Sequence, residues 1–254
     1  MEKKIQTYNS IFWDYVSRYD ASDSNILRKI IHSYTVANTC FTIACRLKLS
    51  RDEREFAYLV GLFHDVGRFY QWEHYGTYND NVSIDHGDVG ADILAKINEE
   101  QFGITAGEKS VLIDAVKYHT KPYTGNNDRV ILFNEIVKNA DAFSNIVRVA
   151  SGAFQNMNQC DGFNEEILND FNSMNLLLKY NPHSKLDFAL LSMASAYYVK
   201  YDFLRQEILH YGYIDIMCND FGSKLNDDDV IILNNAVRKL KENYLLDNSL
   251  IKTN

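Results

Sequence analysis

The chain has 254 residues, 46% of them hydrophobic and 24% charged, with 12 Gly and only 2 Pro. So little proline, against an average usage of about 5%, excludes collagen-like, mucin-like and Pro-rich disordered chains and favours long helices. A net charge of -8, from 26 Lys and Arg against 34 Asp and Glu, excludes a binder of long nucleic acid, so an anionic ligand must meet a local positive centre.

The longest apolar runs, Ala57 to Phe63 and Phe188 to Val199, fall short of the roughly 18 residues of a membrane span. Met1-Glu2-Lys3-Lys4 leads into no apolar signal segment, and the expected location is the cytoplasm, with no membrane partner. Cys40, Cys45, Cys160 and Cys218 form no CxxC pair and are expected as reduced, structural thiols.

In chain order, Leu27, Ile30, Ile31, Tyr34, Ala37, Cys40, Ala44 and Leu47 step by three and four, which predicts a helix over 24–48 with these residues on one stripe. Ser50 and Glu53 have capping-box spacing and open a helix that buries Phe56, Leu59, Val60 and Phe63 and ends near Gly67. The stretch 69–85, rich in Tyr, Asn, Gly and Ser, reads as a loop walling a site. Its aromatic residues suit base stacking or ordinary packing.

Thr105 with Glu108 repeats the capping-box spacing before Val111, Leu112, Ala115 and Val116, predicting a helix with Tyr118 and His119 at its end. Pro122 cannot continue it, and 121–127 is a second loop. Further helices are expected over 128–150, stopped at Gly152, and near 163–179, 185–210 and 227–245, the last opened by a cap at Asn226. No alternating run competes as a strand, so the fold class is all-α.

The candidate chemistry lies in a set of histidines and aspartates. His64 and Asp65 are adjacent; His32 lies in the helix before them, His86 follows in Asp85-His86-Gly87, His119 ends another helix, and Asp141 sits inside a fourth. Each is embedded in apolar sequence, where a buried polar group needs a partner. The residue types are metal ligands of hard to borderline character. Arg68, four residues after His64, returns to the same side of a helix and can clamp phosphate. Lys121, two residues past His119, is a second candidate substrate contact. Asp85 is placed to orient His86 or to cap its helix, whereas His74, His183 and His210 fit no ligand position.

With this order of residues the chain resembles the HD-domain metal-dependent phosphohydrolase superfamily over residues 25–150. Phe63-His64-Asp65-Val66-Gly67-Arg68 is similar to the family's Leu-His-Asp-Ile-Gly-Lys/Arg, and Tyr118-His119-Thr120 to a segment of the branch that cleaves dinucleoside polyphosphates. The His-His pair and the Gly-Tyr-Pro of the cyclic-dinucleotide branch are absent, which argues against that branch.

The resemblance implies an HD-type helical bundle as the metal-binding core, taken as 1–150; residues 151–254 are expected as a helical extension packed on it, and the chain length suits a single domain overall. It implies two divalent metal ions, iron or manganese before cobalt or zinc. Asp65 would bridge them, His32, His64 and Asp141 would hold one, and His86 and His119 the other. The implied activity is hydrolysis of a nucleotide or other small phosphoester or phosphoanhydride by a metal-bound hydroxide, with Asp65 and Arg68 catalytic and Arg68 and Lys121 on the substrate. Two alternatives share the scaffold: a di-iron oxygenase, disfavoured by the short interval between His119 and Asp141, and a non-catalytic metal-binding sensor or interaction module.

Overall fold

A computed structural model describes residues 2–152, 163–174 and 182–245. Among them every regular element is helical, so the protein is all-α, and no helix is long and apolar enough to cross a membrane. The chain divides into two compact units, Met1–Asp141 and Ala142–Asn254.

The first unit contains α1 (Glu2–Val16), α2 (Ser24–Arg46), α3 (Arg51–Phe63), α4 (Gly67–Tyr75), a short 3-10 turn at Asp80–Val82, α5 (His86–Ala95), α6 (Glu99–Phe102) and α7 (Ala106–Lys117). It ends within α8 (Asp128–Ala150), at Asp141. Side-chain caps set several helix starts: Asp23 accepts from the Asn25 N–H, Ser50 from Glu53 and Asp85 from Asp88. Thr105 and Glu108 form the full reciprocal box expected from their spacing.

Aromatic side chains fill the centre of this unit. Phe63 of α3 meets Phe12 of α1 edge-on at 5.5 Å and Phe102 of α6 at 5.4 Å, and Phe56 meets Phe133 of α8 at 4.7 Å. Helix α2 packs along α3, but its buried stripe is rotated from the expected one. Leu27 and Ile31 are exposed, while His32 and Ser33 are buried with Ile30, Val36, Ala37 and Cys40. Apolar periodicity alone cannot show the rotation, because two of the buried positions are polar.

Helix α3 stops at Phe63, earlier than the expected end near Gly67, and α4 begins at Gly67 in what reads as loop sequence. Between them the chain tightens, with the Val66 N–H donating to the Phe63 carbonyl and the Arg68 N–H to that of Asp65, each three residues back. His64 and Asp65 lie in this turn, both buried, and α4 packs against α5. A Cβ on Gly67 would overlap the His86 carbonyl oxygen and lie 2.8 Å from the Gly90 nitrogen.

The second unit holds the end of α8, α9 (Glu165–Asn172), α10 (Lys185–Met193), a 3-10 segment at Ala194–Tyr198, α11 (Asp202–His210), α12 (Tyr213–Gly222), α13 (Asp227–Leu240) and a π-helical turn at Lys241–Leu245. The helix expected over 185–210 is therefore interrupted, with extended backbone at Val199. That expected over 163–179 ends at Asn172; its last part, from residue 175, and Cys160 lie outside the described residues. Cys40, Cys45 and Cys218 are free thiols. The buried Asp187 carboxylate accepts from the backbone N–H groups of Asn164, His183 and Ser184 and so joins the starts of α9 and α10.

Two glycines separate close approach from backbone conformation. Gly76 caps α4 with φ of 61° and has nothing within 4 Å of a built Cβ, so Gly76→Ala is expected to cost about 1 kcal/mol. Gly67→Ala meets backbone and is expected to cost about 3 kcal/mol by overpacking. Urea unfolding midpoints of the two variants check the order.

Candidate metal centre

The first unit brings His32, His64, Asp65, His86, His119 and Asp141 into one cluster. His32 comes from the middle of α2, His64 and Asp65 from the turn between α3 and α4, and His86 from the first position of α5. His119 follows the C-cap of α7, and Asp141 lies in α8. Helix junctions and helix faces thus meet at one point. The four histidines and Asp65 are buried, His64 completely and Asp65 to 3% exposure.

Asp65 is the hub, and its two oxygens face different partners. Oδ2 lies 3.7 Å from His32 Nε2 and 3.6 Å from His64 Nε2; Oδ1 lies 3.3 Å from His86 Nε2 and 3.8 Å from His119 Nε2. Asp141 Oδ1 closes the first side, 2.9 Å from His32 Nε2 and 3.8 Å from His64 Nε2. Donor atoms of His32, His64 and Asp141, and likewise of His64, Asp65 and His119, all fall within 4.8 Å of one another.

The far ring nitrogens show which tautomers are present. His64 Nδ1 is 2.7 Å from the Gly61 carbonyl, and His119 Nδ1 is 2.6 Å from that of Val116. A carbonyl only accepts, so each Nδ1 carries the proton and each Nε2 keeps its lone pair. His86 Nδ1 in the same way donates to Asp80 Oδ2 at 2.6 Å. His64 Nε2 is left buried with no hydrogen-bond partner, and the Nε2 atoms of His86 and His119 face each other at 3.0 Å. Converging lone pairs beside a carboxylate repel unless a cation lies among them. The donor set therefore fits metal ions.

Three residues around the cluster stand outside the sequence motif. Lys29, one helical turn before His32, donates to Asp65 Oδ2 at 2.7 Å. Asp80, in the 3-10 turn, holds His86 on Oδ2 and Arg68 Nη1 on Oδ1, the latter at 2.6 Å. The fully buried Gln71 donates to Asp80 Oδ1, Ser83 Oγ and the Ile84 carbonyl, fixing that turn. The i−3 placement of Lys29 on the His32 face is a readable signal. Asp80 gives none, because polar residues are ordinary in a loop.

Arg68 borders the cluster, with Nε 3.5 Å from Asp65 Oδ1, buried and without a hydrogen bond. Its Nη1 is held by Asp80, by Gln71 Oε1 at 2.8 Å and by the Tyr78 carbonyl at 2.6 Å. Lys121 contacts none of the six: its ammonium pairs with Asp85 at 3.1 Å and Asp88 at 2.7 Å. Asp85 caps α5, and Asp80 is the residue that orients His86. His74 stacks on Tyr70 at 3.8 Å and is exposed.

Burial pulls the His64 imidazole down to about 3, against the opposing charges of Asp65 and Asp141. Burial alone would raise the Asp65 and Asp141 carboxyls. The Lys29 ammonium holds the first well below the ordinary carboxylate range, and the His32 hydrogen bond lowers the second. Asp80 also loses solvation, but its bond from His86 brings it down to about 2.

Below about 6.5 the unfolded chain protonates His64 and the folded chain does not, so stability is lost as pH falls from there towards 3. The carboxylates contribute stability that is lost at still lower pH, through and below about 4. The urea midpoint of the metal-free protein should therefore fall steadily between pH 7 and pH 4. In His64→Gln the part of that fall between pH 6.5 and 4.5 should disappear.

Residues 30–146 match the sequence profile of the HD domain. No curated protein and no solved structure matches the chain. The matched segment includes all six clustered residues and ends within α8. Residues 30–146 are thus an HD domain, the all-helical fold whose members are typically metal-dependent phosphohydrolases.

Proposed function

We propose that the protein hydrolyses a small phosphorylated substrate, a nucleotide or another phosphoester or phosphoanhydride, at a dinuclear metal centre. One observation carries this reading: the two oxygens of Asp65 point to two separate imidazole pairs. His32, His64 and Asp141 would hold one ion, His86 and His119 the other, and Asp65 would span them. Thiolate-free nitrogen and oxygen ligands accept iron, manganese, cobalt or zinc, with the first two favoured by the family resemblance. Bound there, a pair of divalent ions supplies activated water and charge neutralisation for displacement at phosphorus.

The chain's own groups do the rest. The Lys29 ammonium on one oxygen of Asp65 keeps it ionised in a buried site, and Arg68 lies against the other oxygen. The Nδ1 contacts of His64, His86 and His119 hold their Nε2 lone pairs inward. The Nε edge of Arg68 makes no hydrogen bond and faces Asp65, while Nη1 is tied back. In the proposed reaction that edge would turn to two oxygens of a phosphoryl group. Lys121, neutralised by two carboxylates, is placed less well for such a contact.

Mn(II) calorimetry on the metal-stripped chain is expected to give two ions, and a panel of nucleotides and phosphodiesters assayed with Mn(II) or anaerobic Fe(II) is expected to release phosphate or a nucleoside monophosphate. Metal uptake without turnover of any substrate would support the sensor alternative instead. Asp65→Asn keeps the size but lacks the bridging charge, so both ions should bind more weakly and hydrolysis fall by several orders of magnitude, with the circular dichroism spectrum retained. His86→Ala should weaken one ion only.

Arg68→Ala should leave metal content intact and lower kcat/KM about 10- to 150-fold, the loss of one charge-assisted contact worth about 1.5 to 3 kcal/mol. Unchanged kinetics in this variant would return Arg68 to a purely structural ion pair.

A further inference from the structure

Taking the cluster as the hydrolytic centre proposed above, we infer that Asp80 is a positioning residue that ties the second cation pocket to the phosphate clamp. Its two oxygens have different partners. Oδ2 accepts the Nδ1 proton of His86 at 2.6 Å, which fixes that ring's tautomer and aims Nε2 at Asp65 Oδ1. Oδ1 accepts from Arg68 Nη1 at 2.6 Å and from Gln71 Nε2 at 2.8 Å, which leaves the Nε edge of the guanidinium turned towards Asp65. Carboxylates behind metal-bound histidines tune ligand orientation and basicity; here the same carboxylate also orients the group that would meet substrate.

The turn carrying Asp80 is held firmly enough for this task. Asn79 caps it by accepting from the Asn81 N–H, Ser83 Oγ donates to the Asn79 carbonyl, and the buried Gln71 spans Asp80, Ser83 and Ile84. Asp80 therefore acts from a fixed position, and movement of this turn would disturb ion and substrate contacts together.

The amide of Asp80→Asn has one acceptor oxygen where the carboxylate has two. The charged guanidinium and Gln71 compete best for that oxygen, so the amide NH2 faces His86 Nδ1 and drives the ring proton to Nε2. The lone pair aimed at the second ion is then lost while the Arg68 arm survives. Asp80→Ala removes both arms.

Two measurements separate the arms: Mn(II) calorimetry, and binding of inorganic phosphate at Mn(II) high enough to refill a weakened site. Asp80→Asn is expected to weaken the second ion 10- to 100-fold and to leave phosphate affinity within about twofold. Asp80→Ala should weaken the second ion similarly and phosphate about tenfold, as Arg68→Ala does for phosphate alone. The double variant Asp80→Ala with Arg68→Ala should bind phosphate no more weakly than Arg68→Ala, because Asp80 acts there through Arg68.

Wild-type affinity for both ions in Asp80→Ala and Asp80→Asn, additive phosphate losses in the double variant, or tighter phosphate binding in Asp80→Ala would each overturn the coupling while leaving the metal centre standing. A wild-type chain that takes up fewer than two Mn(II) ions would instead overturn the dinuclear reading, and the coupling with it. Asp80→Asn, nearly isosteric, guards against a variant that merely misfolds.

Discussion

A carboxylate at 3% exposure is the constraint on which the first unit turns. Burying an ion without compensation is costly, and Asp65 is compensated on both oxygens, by Lys29 at 2.7 Å on one and by the Arg68 guanidinium at 3.5 Å from the other. Around it stand imidazoles whose outer nitrogens are already committed to acceptors. Polar groups this deep are tolerated only when every one is accounted for. The Nε2 atom of His64 has no protein hydrogen-bond partner, and those of His86 and His119 face only each other and Asp65; metal ions would meet that residual demand.

The packing serves this geometry directly. The turn between α3 and α4 carries His64 and Asp65, both buried and both facing the same centre. Gly67 then admits the His86 carbonyl, so α5 starts close enough for His86 to approach Asp65. The aromatic contacts of Phe63 with Phe12 and Phe102 anchor α3 one residue before His64. The apolar core and the polar centre therefore share a boundary at one peptide bond.

Much of this is legible in the sequence, in proportion to how local its cause is. The capping box at Thr105 and the helix over 128–150 follow from short-range pattern and form as expected. The six clustered residues stand out because histidine and aspartate embedded in apolar helical sequence must each find a buried partner. The start of α4 at Gly67 is not legible, since its Tyr- and Gln-containing sequence has weak periodicity and is held by tertiary contact with α5. Nor is Asp80, whose role exists only because Arg68 and His86, remote from each other in sequence, meet on it. The rotated stripe of α2 belongs with these: Leu27 and Ile31 continue the apolar periodicity but are exposed, while Ser33 is buried.

The overall charge of -8 and a phosphorylated substrate are compatible because electrostatics at the site is local. Exposed charges farther off than the Debye length, about 8 to 10 Å in ordinary salt, are largely screened. The groups that a phosphate would meet under the proposed function are nearer. Arg28, Lys29 and Arg68 all lie over the face of Tyr78, at 5.2, 5.1 and 6.0 Å from its centroid, and the Tyr78 hydroxyl donates to the Asn25 carbonyl at the start of α2. The negative face of the ring helps hold three cations from two helices in one region where they would otherwise repel. By sequence Tyr78 suits base stacking or packing. In the structure its ring is occupied by cations and by Trp72 at 5.0 Å, so its contribution is to gather positive charge beside the centre for which phosphoryl hydrolysis is proposed.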